Sequence, residues 1–189
     1  MDGPVLDTPR LILRPPLEED LDGYAAMMAD EEAARFVGGV MERAGAWRVL
    51  AIVAGSWALH GYGMFSVIEK ETGRWVGRLG PWVPEGWPGP EIGYGLDRSA
   101  WGKGYASEGV AAAIDWAFET LGWNEVIHCI DPANANSRRV AERLGARLRG
   151  QAYLPAPFDE TPMDIWGQTK AEWRALGGVP SHQPNVSTG

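Results

Sequence analysis

The sequence has one cysteine, three histidines and fewer basic than acidic residues. Cys129 alone cannot form an internal disulfide, so we expect a reducing compartment, the cytoplasm. The histidines, His60, His128 and His182, are scattered and form no cluster with metal-ligand spacing, so no metal site is predicted. The formal net charge of −8 disfavours a nucleic acid or an anionic membrane as a partner.

Long apolar runs are also missing. No stretch approaches the length of a membrane span, and the first residues, MDGPVLDTPR, lack the basic start and apolar run of a signal peptide, so we expect neither. The 189 residues suit one domain with a sizeable core, which we place at residues 1–176. Residues 177–189, GGVPSHQPNVSTG, are predicted to be a disordered tail.

Apolar periodicity predicts alternating strands and helices. Strands are expected at residues 10–14, 62–70, 74–82, 91–96, 125–130 and 163–169, and helices within residues 17–30, 44–61, 97–121 and 134–145. The helix within 44–61 should bury Trp47, Leu50, Ile52, Val53 and Trp57. This order predicts an α/β fold of the α+β type, a mixed sheet with helices packed on it. The helix between strands 91–96 and 125–130 should connect them as a parallel, right-handed unit.

The stretch DRSAWGKGYASEGVAAAIDWAF, residues 97–118, places two glycines at a helix start. A helix N-terminus exposes unpaired N–H groups with partial positive charge, and Gly102 and Gly104 leave room for a phosphate to approach them. A tight strand-to-helix turn would need the same glycines. Ser107 replaces the third glycine of a dinucleotide fingerprint, and Lys103 lacks the following Ser or Thr of a P-loop, so neither nucleotide motif fits.

Two stretches carry a family resemblance. EIGYGLDRSAWGKGYASEG, residues 91–109, followed by DPANANSRRVAERLGA, residues 131–146, resembles the GNAT N-acetyltransferases, in particular their RimJ/RimL-like branch. The resemblance runs from TPRLILRP near the start to IWGQTKAEW near the end. It implies a GNAT fold: a mixed, mostly antiparallel sheet of about seven strands, flanked by about four helices, with a parallel pair splayed around acetyl-CoA.

The resemblance also implies a set of residues that bind acetyl-CoA. The pyrophosphate would lie on the backbone of residues 102–106. The first position of the family's motif falls on Ser99, with Arg98 one place early, which leaves open whether Lys103 or Arg98 neutralises the phosphates. The complete predicted set is Gly95, Leu96, Trp101, Gly102, Lys103, Gly104, Tyr105, Ala106, Asn134 and Ser137.

Acetyl transfer to an amine needs a neutral amine, a stabilised oxyanion and a leaving thiol. Glu91 is the first candidate for the general base, the alternative being an exposed carboxylate at a strand end. Glu108 is the second candidate, although an acid in the first turn of a helix is also explained by the helix dipole. The resemblance assigns the oxyanion donor to a backbone N–H at a strand bulge near Gly95 and Leu96, where glycine would equally allow a plain twist.

The family's proton-donating tyrosine is missing, because its position is occupied by Ala141. In the RimJ/RimL-like branch a serine that matches Ser137 is the proposed donor, whereas a serine at a helix start is also a common cap. The thiol, with a pKa near ~8.5, could also leave unassisted. Asn134 matches the asparagine that contacts the cofactor, or it is a cap or turn residue.

The ten tryptophans include Trp82 and Trp87, in a proline-rich loop beside the expected acceptor entrance. With Glu91 they could line a site for the amine; otherwise they cover the sheet end or a dimer contact, and a homodimer is left open.

We predict an acetyl-CoA-dependent N-acetyltransferase that acts directly on a primary amine, either a protein N-terminus or a small amine. The alternatives are a CoA-binding regulatory or interaction module without catalysis, and an unrelated phosphate-binding protein.

Overall fold

A computed structural model describes residues 3–177, which form an eight-stranded sheet with helices on both faces. The strands are β1 Leu6–Asp7, β2 Leu11–Arg14, β3 Phe65–Glu69, β4 Trp75–Trp82, β5 Glu91–Leu96, β6 Glu125–Ile130, β7 Arg147–Ala152 and β8 Met163–Thr169. The α-helices are α1 Leu21–Ala29, α2 Glu31–Ala34, α3 Arg43–His60, α4 Tyr105–Glu119, α5 Ala135–Arg143 and α6 Lys170–Ala175, and short 3-10 helices span Glu18–Asp20 and Arg98–Ala100.

The strand order across the sheet is β1-β2-β3-β4-β5-β6-β8-β7. Every neighbouring pair is antiparallel except β5 and β6, which are parallel and joined through α4. The predicted fold class and the parallel connection are therefore confirmed. Within residues 3–177 no helix is both long enough and apolar enough to cross a bilayer.

The sequence predicted fewer strands and helices than the structure contains. Strands β5, β6 and β8 have the predicted bounds, whereas β1, β7, α2 and α6 were missed. Strand β7 has the sequence RLRGQA and is mostly exposed, so it shows no apolar alternation, and β1 is only two residues long. The predicted tail lies outside the described residues, apart from Gly177.

Successive side chains along a strand point to opposite faces of the sheet, and the two faces pack against different helices. One face packs on α4, where Leu79 and Ile92 meet Val110, Ile114 and Phe118 in one buried cluster. Tyr24, Met27 and Met28 of α1 form a second cluster with Leu50 of α3. In α3 the prediction for Trp47 and Ile52 was wrong: they are 54% and 59% exposed, because the buried stripe runs through Ala46, Leu50, Val53 and Trp57.

Gly109 allows α4 to pack closely on the sheet. A Cβ atom at Gly109 would lie 2.5 Å from Leu79 Cδ2, whereas at Gly55 of α3 it would meet nothing within 4 Å. We expect Gly109→Ala to lower the free energy of unfolding by about 1 to 3 kcal/mol through overpacking. Gly55→Ala, the matched control, should raise it by about 0.5 to 1 kcal/mol through helix propensity. Urea titration measures both, and equal effects of the two variants would contradict the packing assignment.

Candidate active site

The parallel pair β5 and β6 separates almost as soon as it forms. The two strands share the single register pair Glu91 and Ile127, and Ile127 N donates to Pro90 O at 2.9 Å. Side chains make the next contacts: His128 Nδ1 lies 2.7 Å from Ile92 O, and Cys129 N donates to Glu91 Oε1 at 3.1 Å. Because a carbonyl only accepts, His128 donates from Nδ1. The arrangement agrees with a splayed pair.

Glu91 lies in this gap and is 6% exposed, so the alternative of an exposed strand-end carboxylate was wrong. Burial raises its pKa to about 7, partly offset by hydrogen bonds from Cys129 N and from Trp87. Trp87 Nε1 donates to Glu91 Oε2 at 2.5 Å. A carboxyl group with this pKa exchanges its proton near neutral pH, as a general base must.

The backbone of β5 presents two residues to the open side of the gap. Because N–H and C=O of one residue point the same way in a strand, Tyr94 and Leu96 face the gap as Ile92 does. Leu96 O accepts from Trp101 Nε1 at 2.9 Å. The pairing of β4 with β5 runs without a shift from Gly77–Leu96 to Trp82–Glu91, so the bulge expected near Gly95 and Leu96 is not there.

The Tyr94 hydroxyl is a polar group near the gap that sequence reasoning missed. It is buried and makes no hydrogen bond of good geometry within residues 3–177; burial raises its pKa to about 12, and a contact with the Ser137 side chain acts in the opposite direction. Asn134 Oδ1 accepts from Ser137 N at 3.1 Å and caps α5. The position of the family's tyrosine, Ala141, is 3% exposed. The sequence signal that could have indicated Tyr94 is its position between two glycines of β5.

The start of α4 forms a backbone cradle. Gly102 and Gly104 have φ angles of +73° and +81°, in the left-handed region that glycine favours. The N–H groups of residues 102–107 donate to no acceptor in the described part of the chain, and a Cβ atom at Gly102 would meet nothing within 4 Å. Unpaired N–H groups at a helix start beside open space fit a diphosphate such as that of CoA.

Two arginines reach this cradle that the sequence did not indicate. Arg10 Nη1 donates to Lys103 O at 2.8 Å, and Arg143 Nη1 donates to Ser107 Oγ at 3.2 Å. Of the two predicted cations, Lys103 forms an ion pair with Glu69 at 3.0 Å. Arg98 contacts Asp30, 3.3 Å away, at the start of α2.

Glu108 connects α4 to the N-terminal segment. Its carboxylate accepts from Thr8 Oγ1 at 2.7 Å, from Arg10 N at 2.8 Å and from Arg10 Nε at 2.7 Å. Burial raises the pKa of Glu108, but these hydrogen bonds and the Arg10 charge outweigh it and leave the pKa below its usual value. These contacts favour a structural role over that of a base.

Aromatic side chains flank Glu91 on the side where an acceptor was expected. Trp82 pairs with Glu91 across β4 and β5, and Trp87 meets Phe158 edge to face at 6.4 Å between ring centroids. A surface cavity of about 240 Å³ lies beside Phe158 and includes Phe36 and Asp131 among its lining residues. The described residues contain no group of three His, Cys, Asp or Glu side chains that could hold a metal.

Comparison with known proteins identifies the family. The sequence model described as "Acetyltransferase (GNAT) domain" matches residues 10–147. The chain belongs to the GNAT acetyltransferase family. The resemblance found in residues 91–109 and 131–146 is thereby confirmed, and the splayed pair and the cradle are features of a GNAT domain in this chain.

Individual proteins resemble this chain in sequence or in fold. An acetyltransferase from Agrobacterium tumefaciens str. C58 is 31% identical, with a TM-score of 0.79 over 90% of this chain and 96% of that chain. RimJ of Mycobacterium smegmatis, solved in complex with CoA-disulfide, is 21% identical and shares the fold, with a TM-score of 0.69 over 93% and 94% of the two chains. YkkB of Bacillus subtilis (strain 168) is 36% identical over 88 residues, 46% of this chain and 51% of YkkB, so the chain matches about half the length of that relative.

Burial of Glu91 predicts a pH dependence of stability. The pKa of Glu91 is about 7 in the folded protein, against 4.5 for the ordinary group, so between these values the folded state holds more protons than the unfolded state. Stability must then fall as pH rises through this window. Relative to Glu91→Gln, the wild-type free energy of unfolding should drop by about 3 kcal/mol from pH ~4 to ~8.

Urea denaturation at a series of pH values tests this expectation. Glu85→Gln is the matched control, because Glu85 is an exposed carboxylate in the same loop as Trp87 and should leave the pH dependence unchanged. Parallel curves for the wild type and Glu91→Gln would contradict the assignment.

Proposed function

We propose that this GNAT protein is an acetyl-CoA-dependent N-acetyltransferase that acts directly on a primary amine. The observation that carries the proposal is the pairing of two features. The cradle of unpaired N–H groups at residues 102–107 lies at the start of the helix that follows β5, and β5 itself separates from β6 beside the buried Glu91. A diphosphate site next to a gap between parallel strands suits CoA and a thioester group.

The cradle residues would hold the cofactor. The backbone of residues 102–106 would bind the diphosphate, with Arg10, Lys103 and Arg143 supplying positive charge around it. The predicted contacts of Gly95, Leu96, Trp101, Asn134 and Ser137 stay predictions, and of these Leu96 presents its backbone to the gap. Acetyl-CoA, when bound, supplies an activated acyl group.

Glu91 would accept the proton of the acceptor. A primary amine is largely protonated at neutral pH and cannot attack until it is neutral. The ammonium group first loses one proton; the neutral nitrogen then bonds the acetyl carbon, and the sulfur leaves with the electron pair of the carbon–sulfur bond. The nitrogen must then lose one more proton to give the neutral amide. With a pKa of about 7, Glu91 is partly ionised near neutrality and can take that proton directly or through one water. Trp87 holds the carboxylate in place through Oε2.

Two hydroxyl groups are candidates for protonating the departing sulfur. Tyr94 is neutral at physiological pH, because its pKa is raised to about 12, and its hydroxyl has no partner among the described residues. Ser137 is its neighbour at the start of α5. We keep Ser137 as the predicted donor and add Tyr94, which would hold the serine or donate in its place.

One observation supports the alternative of a CoA-binding module without catalysis. Met64 covers the sheet beside Glu91, since a Cβ atom at Gly93 would lie 2.8 Å from Met64 Cε. An acceptor that approached Glu91 over Gly93 would have to displace this methionine. Tight binding of acetyl-CoA without acetylation of any amine would favour the module.

The cradle predicts a selective loss of cofactor binding. Gly102→Ala should weaken acetyl-CoA binding about tenfold or more, because the new methyl group enters the space that the diphosphate needs. Gly61→Ala is the matched control: Gly61 has a φ of +72°, its Cβ would also meet nothing within 4 Å, and it ends α3 outside the cradle. Both variants should lose about 1 kcal/mol of stability through backbone strain.

Isothermal titration calorimetry measures the dissociation constants. Only the Gly102 variant should show a changed constant. An absence of acetyl-CoA binding by the wild type at high micromolar concentration would remove the proposed function altogether.

The role of Glu91 predicts a pH profile. Thiol release across a panel of amines should show kcat/KM rising with pH through an apparent pKa near that of Glu91, about 7. Glu91→Gln should lower kcat/KM by about 10²-fold or more and abolish this titration, while leaving the dissociation constant of acetyl-CoA unchanged. Glu108→Gln should keep the profile, since Glu108 binds Thr8 and Arg10. An unchanged profile in Glu91→Gln would remove Glu91 as the base.

A further inference from the structure

Arg78 is a buried cation with poor internal partners. It lies in the middle of β4, is 9% exposed, and its pKa is lowered by burial. Nη1 lies 3.6 Å from Met64 Sδ, Nη2 lies 3.5 Å from Val37 O, and Nε has no partner within residues 3–177. No ion pair within 4 Å among the described residues includes Arg78, and the Glu91 carboxylate acts on it electrostatically only from a longer distance.

A buried guanidinium with so few acceptors is unfavourable unless a bound molecule supplies the missing hydrogen bonds. A guanidinium has five N–H donors in a planar fork, and a buried charge needs an opposite charge or several good acceptors. A second unsatisfied donor lies close by, since the Tyr24 hydroxyl is fully buried without a partner in the described chain and interacts electrostatically with Arg78. Together these groups have hydrogen-bond donors for which the described residues supply no well-placed acceptor.

Arg78 and Glu91 lie on the same face of the sheet, with glycine between them. Arg78 pairs with Gly95 across β4 and β5, and Gly93 lies between Gly95 and Glu91 on that face. A Cβ atom at Gly93 would lie 3.5 Å from the Glu91 carboxyl carbon and 2.8 Å from Met64 Cε. Met64 therefore spans the distance from Arg78 to Glu91. Its flexible, unbranched side chain can be displaced by a small ligand.

The segment that contacts Arg78 also borders a surface cavity. Val37, whose carbonyl contacts Arg78, lies between Phe36 and Gly38, which line the cavity of about 240 Å³. Gly38 has a φ of +118°, so this covering segment uses a backbone conformation that larger residues avoid.

We propose that Arg78 binds the carboxylate of the acceptor, so that the acceptor is a small amino acid whose amine faces Glu91. The proposal rests on the proposed acetyltransferase function and names its substrate class. A carboxylate matches the guanidinium fork with two hydrogen bonds and neutralises its charge, which a neutral carbonyl does not. Displacement of Met64 would uncover Gly93, which lies next to the Glu91 carboxyl group and has no side chain of its own.

The test compares acceptors that differ only in the carboxylate. Matched pairs are valine with isobutylamine and lysine with cadaverine, each assayed by thiol release from acetyl-CoA. We expect kcat/KM to be at least about tenfold higher for the amino acids, a margin that one charge-assisted interaction supplies. Arg78→Met should remove this preference, and Arg78→Lys should restore part of it. Arg48→Met, at an exposed position of α3, should keep the wild-type ratio.

A second measurement needs no turnover. The N-acetylated forms of valine and lysine should raise the melting temperature of the wild type and of Arg48→Met, and should leave that of Arg78→Met unchanged. Acetyl-CoA titration checks that Arg78→Met is folded, since its cofactor affinity should equal that of the wild type.

The outcomes separate the two proposals. Efficient acetylation of amines with equal kcat/KM for both members of each pair would overturn the role of Arg78 and leave the transferase function intact. An equal thermal shift by the acetylated amino acids in the wild type and Arg78→Met would overturn it as well. Acetyl-CoA binding without acetylation of any amine would overturn both.

Discussion

The site depends on the hydrogen bond from Cys129 N to the carboxylate of Glu91. In a continuous parallel ladder this N–H would pair with the backbone of β5. Here the Glu91 side chain accepts the hydrogen bond from Cys129 N, and the His128 side chain donates to Ile92 O, the carbonyl with which Cys129 N would have paired. These two side-chain contacts replace the next backbone hydrogen bond between β5 and β6, so the pairing ends while Cys129 N and Ile92 O both keep a partner. The contact with Cys129 N also holds the Glu91 carboxylate in the interior, where burial raises its pKa. The same contact therefore separates the two strands and buries the carboxylate that we propose as the base.

The rest of the site is arranged around this opening. Helix α4 leaves the end of β5 and returns the chain to β6, so its N-terminus and the gap are fixed relative to each other. Glu108 joins that helix start to Arg10, and Arg10 in turn holds the carbonyl of Lys103. On the opposite face of β4 and β5, Arg78 lies under Met64 and Val37. The positive charges that we propose for the cofactor and the positive charge that we propose for the acceptor therefore lie on different faces of the sheet.

Local patterns predicted the elements that carry the site. Strands β5 and β6 are short apolar runs bounded by turn residues, so their sequences contain their bounds. The apolar face of α4 predicted a helix within residues 97–121 but not its start at Tyr105. The burial of Glu91 could not be predicted locally, because it depends on Trp87 in a loop and on Cys129 in another strand. The contact of Arg10 with Glu108 joins residues 98 positions apart. Arg78 was visible as a cation inside an apolar strand, but its lack of partners appears only in three dimensions.

The gap between β5 and β6 divides the sheet into two parts that are weakly connected to each other. Strands β6, β8 and β7 form one antiparallel block, and β1 to β5 form another, while a single rung and two side-chain bonds join the blocks. A molecule that lay along the gap would supply rungs that the protein omits, and so would act as a temporary strand. Filling of the site and rigidity of the whole sheet would then be linked, since the ligand would complete the ladder that the fold leaves open.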